Sequence, residues 1–263
     1  MSSLITRLID TAEAQNRGPG ELFEEVVKLA CQDLVSTGDK VIDIGAHNGF
    51  HLFPMATAVG RTGRVYAFEP LPYLVRYLKK LRLRRFKFQI RFYQLALGNS
   101  NQQSTFTYFR EFPGFSGLQR RLTSFTDQEG GRVEIVVQQK KLDSVLPDVK
   151  GISLIKIDIE GGELHALMGG RDILANSRPV VIFECGFQSS ADIYDYSMED
   201  FFGFFERLDY SVFSLAGEPL SRDDWFIHPC WEVVALPREK SDLAKRFPAY
   251  CEQALQSAGG GLA

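Results

Sequence analysis

Cysteine is scarce in this chain, and its placement excludes two common roles. Cys31, Cys185, Cys230 and Cys251 are the only four among 263 residues, and no two stand in Cys-x-x-Cys spacing. Neither a structural zinc site nor, in a chain this long, a disulfide framework is expected. Reduced thiols in a cytoplasm are the simpler reading. Long apolar runs are missing too: nothing reaches the roughly 18 residues that span a bilayer. Residues 1–10 lack a basic segment followed by an apolar run, so neither export nor a membrane span is expected. Charge of one sign is also absent. With 30 basic and 33 acidic residues the formal net charge is -3, which gives no field to hold a polyanion, so nucleic acid is not an expected partner. The four histidines form no ligand-spaced motif, and nothing in the residues sets an oligomeric state.

What is present is an ordinary globular composition, 44% hydrophobic and 24% charged, enough for one large core. The expected organisation is an N-terminal helical extension over residues 1–37, one α/β domain over 38–238 and a C-terminal helical tail over 239–263. Leu22, Val26, Leu29, Ala30 and Leu34 share a helical face between Glu21 and Val35, and that helix is expected to cover a sheet edge. The apolar run Val41 to Ile44 reads as a buried strand ending in a glycine loop, with a helical segment following to Val59. A strand over Arg64 to Phe68 precedes a helix over Tyr73 to Arg85. A third strand is expected over Phe88 to Ala96, with Ser104 to Phe109 extending it as a hairpin and Glu134 to Gln139 as a further β segment. The alternation then resumes with a strand over Ser153 to Asp158, a helix over Glu163 to Ala175 and a strand over Val180 to Phe183. Met198 to Leu208 reads as a helix, and Tyr210 to Leu215 with Trp231 to Leu236 as a terminal antiparallel pair. The pattern predicts a mainly parallel sheet with helices on both faces and ligands at the carboxyl ends of its strands.

Asp43, Gly45 and Gly49 form Asp-x-Gly-x-x-x-Gly directly after the first strand, where glycine permits a tight turn and close approach of backbone to ligand. The spacing is not Gly-x-Gly-x-x-Gly, the dinucleotide fingerprint that brings a pyrophosphate to a helix N-terminus. That departure argues against a nucleotide-dependent oxidoreductase. An acid at the strand end can instead receive a cationic amino-acid group, which S-adenosylmethionine carries. Glu69 lies 20 positions after Gly49 and ends the second strand, where a carboxylate can accept hydrogen bonds from ribose hydroxyls. Taken singly, such loops and strand-terminal acids are usually structural; their order and placement together favour the cofactor reading.

From here the chain resembles the FkbM methyltransferases. The resemblance rests on Val41-Ile42-Asp43-Ile44-Gly45-Ala46-His47-Asn48-Gly49, Phe68-Glu69-Pro70, Ala96-Leu97-Gly98, Leu142-Asp143 and Ile155-Lys156-Ile157-Asp158-Ile159-Glu160-Gly161-Gly162-Glu163, in that order. It implies a Rossmann-like class I methyltransferase fold with a terminal antiparallel strand, and S-adenosylmethionine as cofactor. It also implies Asp43, Gly45, Ala46, His47 and Gly49 at the methionine end, Glu69 at the ribose, and Ala96 and Leu97 near adenine, with Leu95 as an apolar wall. Two positions depart from the family pattern: His47 and Gln94 stand where asparagine is common, a change that can shift a polar contact without abolishing binding. The resemblance further implies oxygen methylation of a small-molecule or glycan acceptor; a noncatalytic cofactor- or carbohydrate-binding module on the same scaffold is the alternative.

Methyl transfer needs alignment of acceptor and methyl, and removal of a proton when the acceptor is an alcohol. Asp158, at the end of the fourth core strand and beside the cofactor, is the first candidate, with Glu160 next. Both can equally order the turn through Gly161 and Gly162, and Glu163 reads as a first-turn helix acid. A side-chain period of two puts Lys156 beside Asp158, where it can pair with a buried acid. His47 is a candidate proton acceptor, its ordinary pKa being about 6.5. Glu184 ends the fifth core strand and can contact acceptor hydroxyls. Asp158, Glu160 and Glu184 together form a minority metal hypothesis; no metal is the main expectation. Ser116 and Arg120, in the aromatic and basic segment Phe109 to Phe125, are candidate acceptor contacts from a loop over the site.

Overall fold

The computed structural model describes residues 3–86, 89–109, 116–119 and 132–259. Its centre is a seven-stranded sheet of β1 (Lys40–Ile44), β2 (Arg64–Phe68), β3 (Ile90–Tyr93), β7 (Ile152–Ile157), β8 (Val180–Glu184), β9 (Tyr210–Ser214) and β10 (Glu232–Pro237). The spatial order is β3-β2-β1-β7-β8-β10-β9. The first five run parallel, and β10 lies antiparallel between β8 and β9. The parallel strands are apolar and buried because helices cover both faces. The chain winds outward from β1 to β3 and later returns to β7 on the other side of β1. The crevice between the carboxyl ends of β1 and β7 is therefore the topological switch point, where open α/β sheets bind ligands.

Alternation along each strand splits the core. Val41, Val65, Leu154, Ile182 and Val234 face one layer, built from α1 (Leu4–Ala14), α2 (Pro19–Leu34), α3 (Leu52–Ala58) and α10 (Phe247–Gly259). Ile42, Phe68, Ile155, Val181 and Val233 face the other, which includes α6 (Glu163–Met168), α7 (Arg171–Ser177), α8 (Phe187–Tyr194) and α9 (Met198–Arg207). The helix α2 thus lies over a sheet face rather than its edge: Leu22, Phe23, Val26 and Val27 give it an apolar side wide enough to pack on several strands. Ahead of it, α1 is capped by the Ser3 hydroxyl, which accepts from Thr6 N, and buries Ile5, Leu8 and Ala12.

The middle of the chain departs from the expected hairpin extension. β3 ends at Tyr93, and β4 (Ala96–Leu97), β5 (Gln102–Phe109) and β6 (Arg132–Lys140) form a separate sheet of order β4-β6-β5. β5 is largely exposed at its start and buried at three of its last four positions, while its partner β6 alternates exposed with half-buried or buried positions, the pattern of an antiparallel strand with one wet face. It pairs with β6 rather than lengthening the main sheet. The helix expected over Glu163 to Ala175 is broken in two. A Cβ at Gly169 would stand 2.1 Å from the Gly98 carbonyl oxygen, so the chain passes that loop at glycine distance and restarts. Near the C-terminus, α4 (Pro72–Arg85) and α5 (Leu142–Val145) having preceded them, a 3-10 segment Arg238–Arg246 leads into α10. All four cysteines are buried free thiols, and among the described residues no helix is long and apolar enough to cross a membrane.

Candidate active site

The loops leaving β1 and β7 are joined backbone to backbone. Asp158 N donates to the Ile44 carbonyl (3.0 Å), and Gly45, with φ +84°, lies so close that a Cβ there would sit 1.8 Å from the Asp158 carbonyl oxygen. Only glycine fits both the left-handed backbone and that approach. The loop after β1 is tied to β2 in turn: Gly45 N and Ala46 N donate to the Phe68 carbonyl. His47 N donates to Glu69 Oε2 (3.0 Å) and Leu71 N to Glu69 Oε1 (2.9 Å). The Glu69 carboxylate is thereby held by two chain segments before any ligand reaches it. After β7, Glu163 Oε1 accepts from Ile159 N (3.0 Å) and Gly161 N (3.1 Å). Glu163, rather than Asp158, is the acid that orders this turn.

Charge on the α2 side of the sheet is concentrated in one row. Asp43 and Lys156 are register partners on β1 and β7, and both are about 1% exposed. Lys156 Nζ donates to Asp158 Oδ2 (2.8 Å), the pairing the two-residue spacing suggested, although β7 itself ends at Ile157. Burial by itself raises the Asp158 carboxyl. The Lys156 charge and hydrogen bond, with a further bond from Glu184, outweigh it and bring the group down to about 2. Its neighbours shift the other way: desolvation pushes Asp43 and Glu69 up to about 7 and Glu232 up to about 8. Burial lowers His47 and brings His51 down to about 3, so both imidazoles are neutral at pH 7. His51 Nε2 donates to the Glu24 carbonyl (3.2 Å), fastening α2 to the loop after β1.

A cavity of about 680 Å³ opens over this switch point. Gly45, His47, Glu69, Ser116, Asp158, Glu160 and Glu184 all line it. It continues into an apolar slot bordered by Leu95, Ala96 and Leu97 and a polar recess bordered by Asp43, Ala46 and Lys156. The residues singled out from the sequence therefore converge, with two exceptions. Gly49 borders none of the three spaces; its amide closes the turn onto the Ala46 carbonyl (2.8 Å). Arg120, with much of the segment Phe109 to Phe125, lies outside the described residues. Asp158, Glu160 and Glu184 bring carboxylate oxygens within 4.8 Å of one another, so the acidic patch exists as a cluster.

Sequence reasoning missed much of the far wall, where Gly20 and Glu24 of α2, Phe187 and Ser189 of α8, and Glu232 border the cavity beside His228 and Trp231. One signal was available: Glu232 is the lone charge in the apolar run Trp231 to Leu236. On the buried side of a central strand a charged residue asks for an explanation.

A model of the FkbM methyltransferase domain matches residues 43–212. Among curated proteins, the chain is 27% identical over 175 residues to the methyltransferase sdnD of Sordaria araneosa, covering 56% of this chain and 67% of that one. It is 28% identical over 174 residues to the AMB antimetabolite synthetase AmbE of Pseudomonas aeruginosa, covering 54% of this chain and only 8% of that protein. Among solved structures, the methyltransferase FkbM from Methylobacillus flagellatus is similar at 18% identity and a TM-score of 0.47, covering 76% of this chain and 43% of that one.

Proposed function

The chain belongs to the FkbM methyltransferase domain family, and from that premise we propose that it transfers a methyl group to a hydroxyl oxygen of a sugar or small natural product. S-adenosylmethionine is the cofactor; when bound, it supplies an electrophilic methyl on a sulfonium. The residues fit it on two observations. Gly45 borders the cavity, the slot and the recess with backbone alone, and Asp43 Oδ2 is buried without a hydrogen-bond partner among the described residues, a site suited to an ammonium donor. In this reading Asp43, Gly45, Ala46 and His47 hold the amino-acid end, with Gly49 closing their turn. Glu69 accepts from the ribose, and Leu95, Ala96 and Leu97 flank the adenine.

The observation that carries the reading is Asp158: a carboxylate kept ionised by Lys156, on the cavity wall between the polar recess and the acidic patch. A group held near 2 is a poor proton acceptor at neutral pH. Asp158 therefore orients the acceptor hydroxyl and faces the positive charge of the donor, the electrostatic role preorganised carboxylates perform best. Glu160, His47 and Glu184 stand near enough to the same space to take the hydroxyl proton, with Ser116 as an acceptor contact. The match to a segment of an antimetabolite synthetase supports a small-molecule acceptor over a macromolecular one.

The test is calorimetric titration with S-adenosylhomocysteine, followed by mass spectrometry of a panel of glycosides and hydroxylated metabolites incubated with S-adenosylmethionine. Micromolar binding, about -8 kcal/mol, together with a mass gain that maps to oxygen supports the proposal. Binding without turnover on any acceptor would favour a noncatalytic module, and methylation at nitrogen or carbon would overturn the oxygen assignment.

A further inference from the structure

The cavity has an end that the cofactor's chemistry leaves over. Beyond Asp158 it runs to Glu184, His228, Trp231 and Glu232, none of which borders the apolar slot or the polar recess. Much of this end comes from outside residues 43–212: Gly20 and Glu24 on α2, and His228 to Glu232 at the entry to β10. The two pieces meet, since a Cβ at Gly20 would stand 3.1 Å from the Trp231 ring.

Among the described residues that line the cavity there are six carboxylates, Glu24, Glu69, Asp158, Glu160, Glu184 and Glu232, and no lysine or arginine. Lys156, in the adjoining recess, is already paired with Asp158. Glu232 is the least accommodated of the six. It is 3% exposed, its Oε2 has no hydrogen-bond partner among the described residues, and it stands directly opposite Glu184 in the β8–β10 register. A buried acid left in this state opposes folding, and its ionisation directly opposite Glu184 in an antiparallel pair would add to that. An apolar residue would continue the strand without either penalty, so the arrangement points to a ligand that supplies both hydrogen-bond donors and positive charge.

We propose that Glu232, with Glu184 opposite it, forms a recognition subsite for a protonated amine, so that the acceptor is an amino sugar or other amino alcohol. The assignment rests on the methyl-transfer reading above. A carboxylate- or phosphate-bearing acceptor meets the ionised Asp158 and finds no lysine or arginine among the described residues lining the cavity. A neutral polyol supplies donors but no balancing charge. An ammonium group supplies three donors and the charge together.

Protein saturated with S-adenosylhomocysteine is titrated with glucosamine, 2-aminocyclohexanol and ethanolamine, and with the matched neutral compounds glucose, N-acetylglucosamine and cyclohexanol. At least one amine is expected to bind tenfold or more tightly than its neutral partner, and Glu232→Gln is expected to abolish that preference. Glu184→Gln, which serves should the buried substitution prevent folding, is expected to reduce it at least threefold. Equal binding of amines and neutral partners, no saturable binding of any amine, or a preference unchanged in both variants overturns the subsite. Failure of the wild-type protein to bind S-adenosylhomocysteine would instead overturn the methyl-transfer reading, so the two failures are distinguishable.

Discussion

Replacing Lys156 with methionine keeps the length of an apolar stem and removes the one lysine or arginine that is buried among the described residues. Its partner Asp158 keeps 29% side-chain exposure, so water screens part of the loss. Breaking a buried ion pair by removing one member costs roughly 3–5 kcal/mol. A second route gives a smaller figure. The Asp158 carboxyl is brought from 3.8 to about 2, and that shift corresponds to about 2 kcal/mol of folding free energy at neutral pH. The linkage figure counts only the preference for the ionised form, while pair-breaking also leaves Asp43 and Glu232 without their nearest positive charge. The expected destabilisation at pH 7 is therefore about 2–4 kcal/mol, read from the urea midpoint at unchanged slope. Because the folded-state pKa of Asp158 is depressed, its contribution is present above about pH 4 and is lost as pH falls through about 2; the wild-type and variant curves should converge in acid. Adding Asp158→Asn to Lys156→Met should recover more than half of the loss. A variant as stable as wild type, or a double substitution that is fully additive, would refute the view that this pair is a coupled buried unit.

Glu69→Gln keeps a carbonyl oxygen for one of its two backbone donors and should weaken S-adenosylhomocysteine about ten- to a hundredfold by calorimetry; unchanged affinity would remove Glu69 from the ribose. Gly45→Ala combines left-handed strain of about 1–2 kcal/mol with a forced separation from Asp158 worth about 1–3 kcal/mol. It should lower the thermal midpoint by several degrees and reduce cofactor affinity in parallel. Asp43 and Glu69 are both raised to about 7, so the folded state holds their protons more tightly than the unfolded chain does. Their contribution to stability consequently falls as pH rises from about 4 to 7. Cofactor affinity should move oppositely, rising about tenfold between pH 6 and 8 as a carboxylate forms to meet the ammonium group. An affinity flat across that range would refute the assignment of these acids to the cofactor.

The legible parts of the molecule were those where local pattern and tertiary role agree. Val41 to Ile44 and Arg64 to Phe68 read as buried strands because a parallel sheet between helix layers leaves them no wet face. The residues after them converge because the carboxyl ends of parallel strands share one edge. The second sheet was misread because Ala96 and Leu97 continue the apolar run of β3 while pairing with Gln139 and Lys140 far along the chain, and no local period reports a change of partner. Glu24 and Glu232 escaped notice for a related reason. They reach the cavity only because α2 lies across the sheet face and β10 runs back antiparallel to β8, both consequences of packing between distant segments.

His47 and Glu160 hold φ values of +41° and +60°, backbone conformations that side-chain-bearing residues adopt at a penalty of about 1–3 kcal/mol. Both border the cavity. Exchange of either for glycine relieves that penalty, so selection for heat resistance alone would tend to erase them. Variants enriched by thermal challenge without a demand for turnover should accumulate changes at these two positions, gaining melting temperature as they lose catalytic competence.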